Sequence, residues 1–179
     1  MMTLRRRLRL FARAEKGLAA LEFAILLPMM VFLLFGSVDL IDVLGANQRS
    51  QNAAASLADV VARDTEVSNA EVTGLWGAID ILMFPNNGAD VQARITSVSI
   101  ENATTARVVW SEGRGMSART ANSTVVLPAA MMTPGTSVII AETNYPYSAP
   151  LGFLFAGSID MEHTAYRRSR LVDPIPRVS

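Results

Sequence analysis

The hydrophobic residues of this chain are concentrated in one long run near its N-terminal end. Between Leu18 and Val38 the only charged side chain is Glu22. An α-helix needs about 20 predominantly apolar residues to cross the hydrocarbon core of a bilayer. The run has that length, so the pattern predicts one membrane-spanning helix.

The helical pattern continues beyond the apolar run. Small and apolar residues recur there at three- and four-residue spacing, which places them on one face of a helix. They are Ala46, Ala53, Ala54, Leu57, Ala58, Val60 and Val61. We therefore expect a single helix from about Leu18 to Arg63, whose second part, residues 46–63, docks on a folded domain. At 1.5 Å of rise per residue this helix is about 70 Å long.

A second, shorter helix is predicted over residues 68–84. Ser68 is followed three positions later by Glu71, the spacing of a capping box at a helix N-terminus. The apolar residues after it share one helical face; they are Val72, Leu75, Trp76, Ile79, Leu82 and Met83. Pro85 and Gly88 then end the helix in a turn.

The remaining chain is predicted to form a β-sheet over residues 90–166. Alternating apolar and polar residues indicate four strands, at residues 91–101, 106–111, 137–147 and 157–166. Between the second and third strands, residues 112–136 are rich in Gly, Ser, Thr and Met and predict a long loop. The alternation changes phase near Thr96 and Ser97, which predicts a β-bulge.

The third and fourth strands each present one apolar face. In the third strand this face carries Ile139, Ala141, Thr143, Tyr145 and Tyr147, and in the fourth it carries Ile159, Met161, His163 and Ala165. The predicted fold class is therefore α+β: a long N-terminal transmembrane helix that continues into the outer domain, a second short helix, and an antiparallel sheet of about four strands.

The charged residues are divided unevenly along the chain. There are 16 basic and 16 acidic residues in total, yet residues 1–16 hold six of the basic residues and a single acid. Basic residues that flank a membrane helix stay in the cytoplasm. We therefore expect a basic cytoplasmic leader over residues 1–17, a transmembrane helix over residues 18–45, and a periplasmic or extracellular α+β domain over residues 46–179.

Two other interpretations of the N-terminal region are less favoured. Nucleic-acid binding by the basic cluster is disfavoured, because the adjacent apolar run holds that cluster at a membrane, where it can contact anionic lipid. A cleaved secretory signal peptide fits poorly. The apolar region of such a peptide usually spans about 7–15 residues and is followed by a small-residue cleavage site. The run here is longer, contains Glu22 and has no such site after it.

Two residues are unusual for a simple membrane anchor. Glu22 lies just inside the apolar run, where a carboxylate costs about 2.5–3.5 kcal/mol at a helix centre and less near the end. Pro28 lies within the helix, where it removes one backbone hydrogen bond and clashes with the carbonyl of Ala24. A kink or local loosening over residues 24–28 is therefore expected, and Glu22 is expected to have a partner or a task.

These residues form part of a recognisable N-terminal pattern. A basic leader is followed by Gly17, then by four residues, and then by Glu22, Phe23 and an apolar helix that carries Pro28. In this pattern the sequence resembles the TadE-like pseudopilins of the Tad (Flp, type IVc) pilus system. The length of the chain and its layout of a helix followed by a β-rich part agree with the resemblance.

The resemblance implies that a prepilin peptidase cleaves the chain between Gly17 and Leu18, with Glu22 and Phe23 as part of the processing motif. It also implies that Leu18, Glu22 and Pro28 act in assembly, the Glu22 carboxylate pairing with the new α-amine of Leu18 in a neighbouring subunit. The implied partners are the peptidase, other Tad pilins and pseudopilins, the inner-membrane assembly platform and membrane lipid, with no nucleic acid. The implied role is that of a minor pseudopilin in pilus assembly or initiation, in the bacterial inner membrane.

The sequence offers little material for catalysis. It has no cysteine and a single histidine, His163, which cannot form a convincing zinc site. We therefore predict no catalytic, cofactor-binding or metal-binding residues and no enzymatic activity. The alternative function is an uncleaved bitopic membrane adaptor or sensor, with a ligand- or protein-binding periplasmic domain. Retention of the basic leader would favour that alternative.

Overall fold

The computed structural model describes residues 17–179. A long helix, α1 (Leu18–Val61), is followed by a shorter helix, α2 (Asn69–Leu82), and by a four-stranded sheet. The strands are β1 (Gln92–Ile100), β2 (Ala106–Arg114), β3 (Ser137–Ser148) and β4 (Ser158–Arg168). All neighbouring strands are antiparallel, in the order β2-β1-β3-β4. The α+β fold class is confirmed, whereas the proposed leader, apart from Gly17, lies outside the described residues.

Helix α1 runs without interruption from the apolar run into the domain, as predicted. It ends at Val61, two residues before the expected end, and the N–H of Ala62 donates to the carbonyl of Ala58 at 3.0 Å. The predicted docking face is buried except at Val60, which is 53% exposed. The expectation for Val60 was wrong because this residue lies at the edge of the buried stripe, beside a groove that faces α2.

Helix α2 begins with the predicted capping box. The Ser68 hydroxyl accepts from the N–H of Glu71 at 3.3 Å, and the Glu71 carboxylate accepts from the N–H of Ser68 at 2.5 Å. These reciprocal bonds satisfy two backbone donors that the helix itself cannot pair. The backbone hydrogen bond from Ser68, and to a smaller extent its side-chain hydrogen bond, lower the pKa of Glu71. Val72, Leu75 and Ile79 are buried, which confirms the predicted apolar face.

The sheet confirms four strands and corrects the length of the second. The register between β1 and β2 shifts between Ser97 and Val98, at the predicted bulge. Strand β2 continues to Arg114, so the expectation that the long loop begins at residue 112 was wrong. Residues 112 and 113 still pair with β1, and the Arg114 guanidinium holds the end of β2 against α2 through Asp80 at 2.9 Å. A short 3-10 turn at Ala129–Met131 interrupts the loop that follows.

Apolar side chains fill both faces of the sheet. On the face covered by the helices, the predicted face of β3 is buried at every position, from Ile139 to Tyr147. On the opposite face, a smaller cluster forms where the loop after β2 folds over the sheet; its buried members are Val98, Ile100, Ala106, Leu127, Val138 and Ile140. Near this cluster the central strands are therefore buried on both sides.

The C-terminal segment closes the core beside the end of α1. The N–H of Val67 donates to the carbonyl of Pro176 at 3.0 Å, and the N–H of Val178 donates to the carbonyl of Val67 at 2.9 Å. Ile175 is fully buried, and its carbonyl accepts from the indole N–H of Trp110 at 2.8 Å. The sequence predicts no element after residue 166, whereas this segment joins Val67 and Trp110 across the core.

Candidate functional site

The first part of α1 presents an apolar surface that the rest of the described residues, 17–179, leave largely uncovered. Residues 17–35 are all exposed, and their surface consists almost entirely of Leu, Ile, Val, Met and Phe side chains. In the described part of the chain, α1 is the one helix long and apolar enough to cross a membrane. The helix is therefore compatible with a single-pass membrane protein.

The predicted processing residues lie together at the start of this surface. Gly17 precedes the helix in a right-handed helical conformation, and a Cβ atom placed on it would have no atom of the described protein within 4 Å. Leu18 begins the helix and is 58% exposed, and Glu22 and Phe23 follow within the next two turns. Among residues 17–179, no atom crowds the position that a side chain at Gly17 would occupy.

Glu22 is exposed and lies one helical turn after Leu18. No ion pair or side-chain hydrogen bond joins it to another residue between Gly17 and Ser179. A carboxylate at this level of a bilayer is costly unless it finds a partner. The expected partner of Glu22 is thus not supplied by the domain of its own chain.

Pro28 lies within the unbroken α1 helix. Since proline has no N–H, the carbonyl of Ala24 receives no hydrogen bond from that position. The turn over residues 24–28 therefore has a weaker hydrogen-bond ladder than its neighbours. The expected kink or loosening stays a prediction.

Two aspartates join the outer end of the apolar surface to the domain. Asp39 is 1% exposed, and its Oδ2 accepts from the backbone N–H groups of Phe153 at 2.7 Å and Leu154 at 2.9 Å. Asp42 accepts from the hydroxyl of Tyr147 at 2.7 Å. Burial and the hydrogen bond to Asp42 raise the pKa of Tyr147. Both carboxylates therefore point toward the domain, and the side of α1 that faces away from the domain stays apolar as far as Leu44.

In the sequence these two aspartates are only the first charged residues after the apolar run. Their spacing of three residues, just after an apolar run, was a usable signal, because residues so spaced share one face of a helix. The structure shows that this face meets the domain. Their partners could not be identified from the sequence, because they lie more than a hundred positions further along the chain.

The second part of α1 is joined to the sheet by small and polar contacts. The hydroxyls of Ser50 and Thr143, both buried, lie 3.3 Å apart. The Nε2–H of His163 donates to Oδ1 of Asn47 at 3.0 Å, and burial lowers the pKa of His163. The single histidine therefore connects β4 to α1, which agrees with a structural role.

A partly buried charge cluster centred on Glu142 lies on the sheet. Arg94 and Arg119 each make two hydrogen bonds to the carboxylate of Glu142, at 2.6–3.0 Å. Burial alone would raise the pKa of Glu142, but the two guanidinium groups outweigh it and lower the pKa. The cluster holds the loop after β2 against the sheet. Among residues 17–179, no group of three or more His, Asp or Glu side chains could hold a metal ion.

No curated protein and no solved structure matches the chain. The family model of TadE-like proteins matches residues 17–59. That segment is Gly17 together with nearly all of α1, which confirms the resemblance seen in the sequence and points to a protein of the Tad pilus system. Over these residues, from the open glycine to the buried end of the long helix, the chain is similar to TadE-like proteins.

Proposed function

We propose that this protein is a minor pseudopilin of a Tad-type (type IVc) pilus, acting in pilus assembly or initiation without catalytic activity of its own. The observation that carries the proposal is the family match over residues 17–59, together with the exposed apolar surface of α1. A surface of this kind is stable in lipid or against other apolar helices. Its partners would be other Tad pilins and pseudopilins and the inner-membrane assembly platform.

The proposed topology follows from charge and from the position of the domain. The basic residues before Gly17 would stay in the cytoplasm, the helix over residues 18–45 would cross the inner membrane, and residues 46–179 would lie in the periplasm. Asp39 and Asp42 support this arrangement, because they make the first hydrogen bonds along α1 that join the helix to the domain.

We propose that a prepilin peptidase hydrolyses the peptide bond between Gly17 and Leu18. Water adds to the carbonyl of Gly17, the C–N bond breaks, and the products are a Gly17 carboxylate and a free α-amine on Leu18. The absence of a side chain at Gly17 and the open space around it support access by a protease. Phe23 and Glu22 would complete the recognised segment.

Cleavage would give Glu22 its partner. The new α-amine of Leu18 is positively charged near neutral pH, and it lies at the end of an exposed helix. In a bundle of such helices the Glu22 carboxylate of one subunit would pair with the amine of its neighbour, which replaces a cost in lipid by a contact between subunits. Pro28 would allow the helix to adjust when it leaves lipid for the bundle.

The proposal is tested by the mass of the N-terminal peptide of the membrane-extracted protein, from cells with and without the prepilin peptidase. We expect a chain that begins at Leu18 only when the peptidase is present. Gly17→Ala is expected to reduce cleavage strongly. The matched control is Gly74→Ala, because Gly74 also has open space around its Cβ position but lies in α2 of the domain; it should be cleaved normally.

If the basic leader stays attached in both kinds of cell, the pseudopilin proposal fails, and an uncleaved membrane adaptor or sensor becomes the better account. Normal cleavage of Gly17→Ala would instead show that the processing site has been assigned to the wrong bond.

A further inference from the structure

The loop between β3 and β4, residues 149–157, has a composition that is unusual for a connection between strands. Its sequence, Ala-Pro-Leu-Gly-Phe-Leu-Phe-Ala-Gly, contains no charged and no polar side chain. Leu151, Phe153 and Leu154 are 52%, 47% and 41% exposed. Surface loops are ordinarily polar, and a contiguous exposed apolar patch marks an interaction site.

The β3–β4 loop lies against the part of α1 that is apolar enough to be in a membrane. The ring of Phe153 is 5.4 Å from the ring of Phe32 and 6.0 Å from that of Phe35. A Cβ atom on Gly36 would lie 3.2 Å from Leu154, so the glycine permits this close approach. Phe32 lies six residues before Val38, where the apolar run ends. The contact with Phe153 is therefore about 9 Å inside the apolar run, measured along the helix.

Two backbone N–H groups at the base of the loop are hydrogen-bonded within the protein. Backbone N–H groups in lipid are costly unless they are hydrogen-bonded within the protein. The N–H groups of Phe153 and Leu154 both donate to Asp39, and this carboxylate is itself buried. The loop can therefore enter an apolar phase without exposing these two donors or the charge of Asp39.

From these contacts we infer that the β3–β4 loop inserts into the outer leaflet of the same membrane that α1 crosses, and so forms a second, shallow membrane anchor. The exposed side chains of the loop would contact lipid acyl chains, because they continue the apolar surface of α1 at the level of Phe32 to Gly36. A depth of about 5–10 Å is usual for elements that lie in the interface. The inference requires α1 to lie in a bilayer but does not depend on the pilus role or on cleavage.

The two anchors would fix the orientation of the domain. A single helix leaves the domain free to rotate about the helix axis and to tilt. A second point of insertion on one side of α1 removes much of that freedom, so that one side of the domain always faces the membrane.

The test uses single-cysteine variants of the full-length protein, since the natural chain has no cysteine. Leu151→Cys, Leu26→Cys and Val126→Cys are each labelled with a nitroxide, in liposomes of phosphatidylethanolamine and phosphatidylglycerol. Leu26 is the reference for the bilayer core. Val126 is the matched reference for water, because it is an apolar loop residue, 94% exposed, outside the β3–β4 loop. Collision rates with oxygen and with a water-soluble nickel complex are measured.

We expect the label at position 151 to collide with oxygen several-fold more, relative to nickel, than the label at position 126. If position 151 matches position 126 while position 26 is lipid-exposed, the membrane helix stands and the loop inference is overturned. If position 26 is also in water, both the inference and the proposed membrane topology fail. In the double variant with Asp39→Ala, a lower oxygen-to-nickel collision ratio at position 151 would support the role of that carboxylate in holding the loop.

Discussion

The two parts of α1 are continuous in backbone and opposite in environment. Before Asp39 the helix carries large apolar side chains, and the domain covers little more than the side near Phe32 to Gly36. From Ala46 onward the side facing the sheet carries mainly small side chains, and Ala46, Ala53 and Ala58 are completely buried. Small side chains let the helix backbone approach the sheet closely. Large apolar side chains instead project outward and suit an apolar surrounding. The docked part therefore differs from the exposed part in the size of its interface side chains as well as in its hydropathy.

The sharpest way to break this comparison is to make one substitution in both parts. Leu57 is 1% exposed and Leu26 is 53% exposed. We expect Leu57→Ala to lower the free energy of unfolding of the domain by about 2–4 kcal/mol, because it leaves a cavity in the core. Leu26→Ala should leave that free energy nearly unchanged. Urea denaturation in detergent, followed by the fluorescence of Trp76 and Trp110, measures both.

Equal losses of stability in the two leucine variants would show that the exposed part of the helix contributes to the domain as much as the docked part does. The comparison between the two parts of α1 would then be wrong.

The second prediction concerns Asp39, which lies between the two parts. Asp39→Ala removes the acceptor of two backbone N–H groups, and a buried donor left unsatisfied costs about 1–3 kcal/mol. We expect the amides of Phe153 and Leu154 to exchange with solvent hydrogen about tenfold faster or more, as the loop opens locally. The control is Asp160→Ala, because Asp160 is exposed on β4. Unchanged exchange at both amides would contradict the assigned hydrogen bonds.

The third prediction uses the pH dependence of the contact between Asp42 and Tyr147. Folding raises the pKa of Tyr147, so the folded state keeps its proton to higher pH than the unfolded state does. Its contribution is complete below the unfolded pKa of about 10 and is lost as pH rises above that value. We expect the free energy of unfolding to fall above about pH 10, and to fall much less in Tyr147→Phe.

Tyr145→Phe is the matched control for this titration. Burial also raises the pKa of Tyr145, but the variant keeps the bond between Tyr147 and Asp42 and should retain the larger part of the decline. A decline that is the same in Tyr147→Phe as in the natural protein would exclude Tyr147 as its source.

The smallest expected effect comes from His163, which contacts the docked part of α1. Burial lowers its pKa in the folded state, so the unfolded state binds a proton at higher pH than the folded state does. Its contribution to stability is present above about pH 6.5 and is lost as pH falls through that value. Because His163 is the only histidine, we expect a slight loss of stability from pH 7 to 6 that is absent in His163→Gln.

The features that were predictable from the sequence are those that depend on near neighbours along the chain. The long helix, the capping box at Ser68 and Glu71, and the buried face of β3 follow from spacing alone. The bulge beside Ser97 was visible for the same reason, because a change of phase in the alternation is a local signal. The start of the candidate site at Gly17 was likewise visible, because the whole pattern occupies a dozen consecutive residues.

The features that were missed depend on contacts between distant segments. The extra length of β2 follows from pairing with β1 and from the bond between Arg114 and Asp80, which no local pattern encodes. The orientation of the Asp39 side chain toward the domain depends on its hydrogen bond from the backbone N–H of Phe153. The apolar run of the β3–β4 loop was present in the sequence, but its significance appears only when the loop is seen beside Phe32 and Phe35.

The closure of the core by the C-terminal segment has a consequence for export. Val67 and Arg177 lie 110 positions apart, and the segment around Ile175 covers Trp110. In the proposed topology α1 enters the membrane before that segment has been translated or exported, and the core around Val67 and Trp110 stays open until the segment arrives. Contacts of such long range form last and expose apolar surface until they do. The fold of the domain is therefore complete only after residues 175–178 have joined the core.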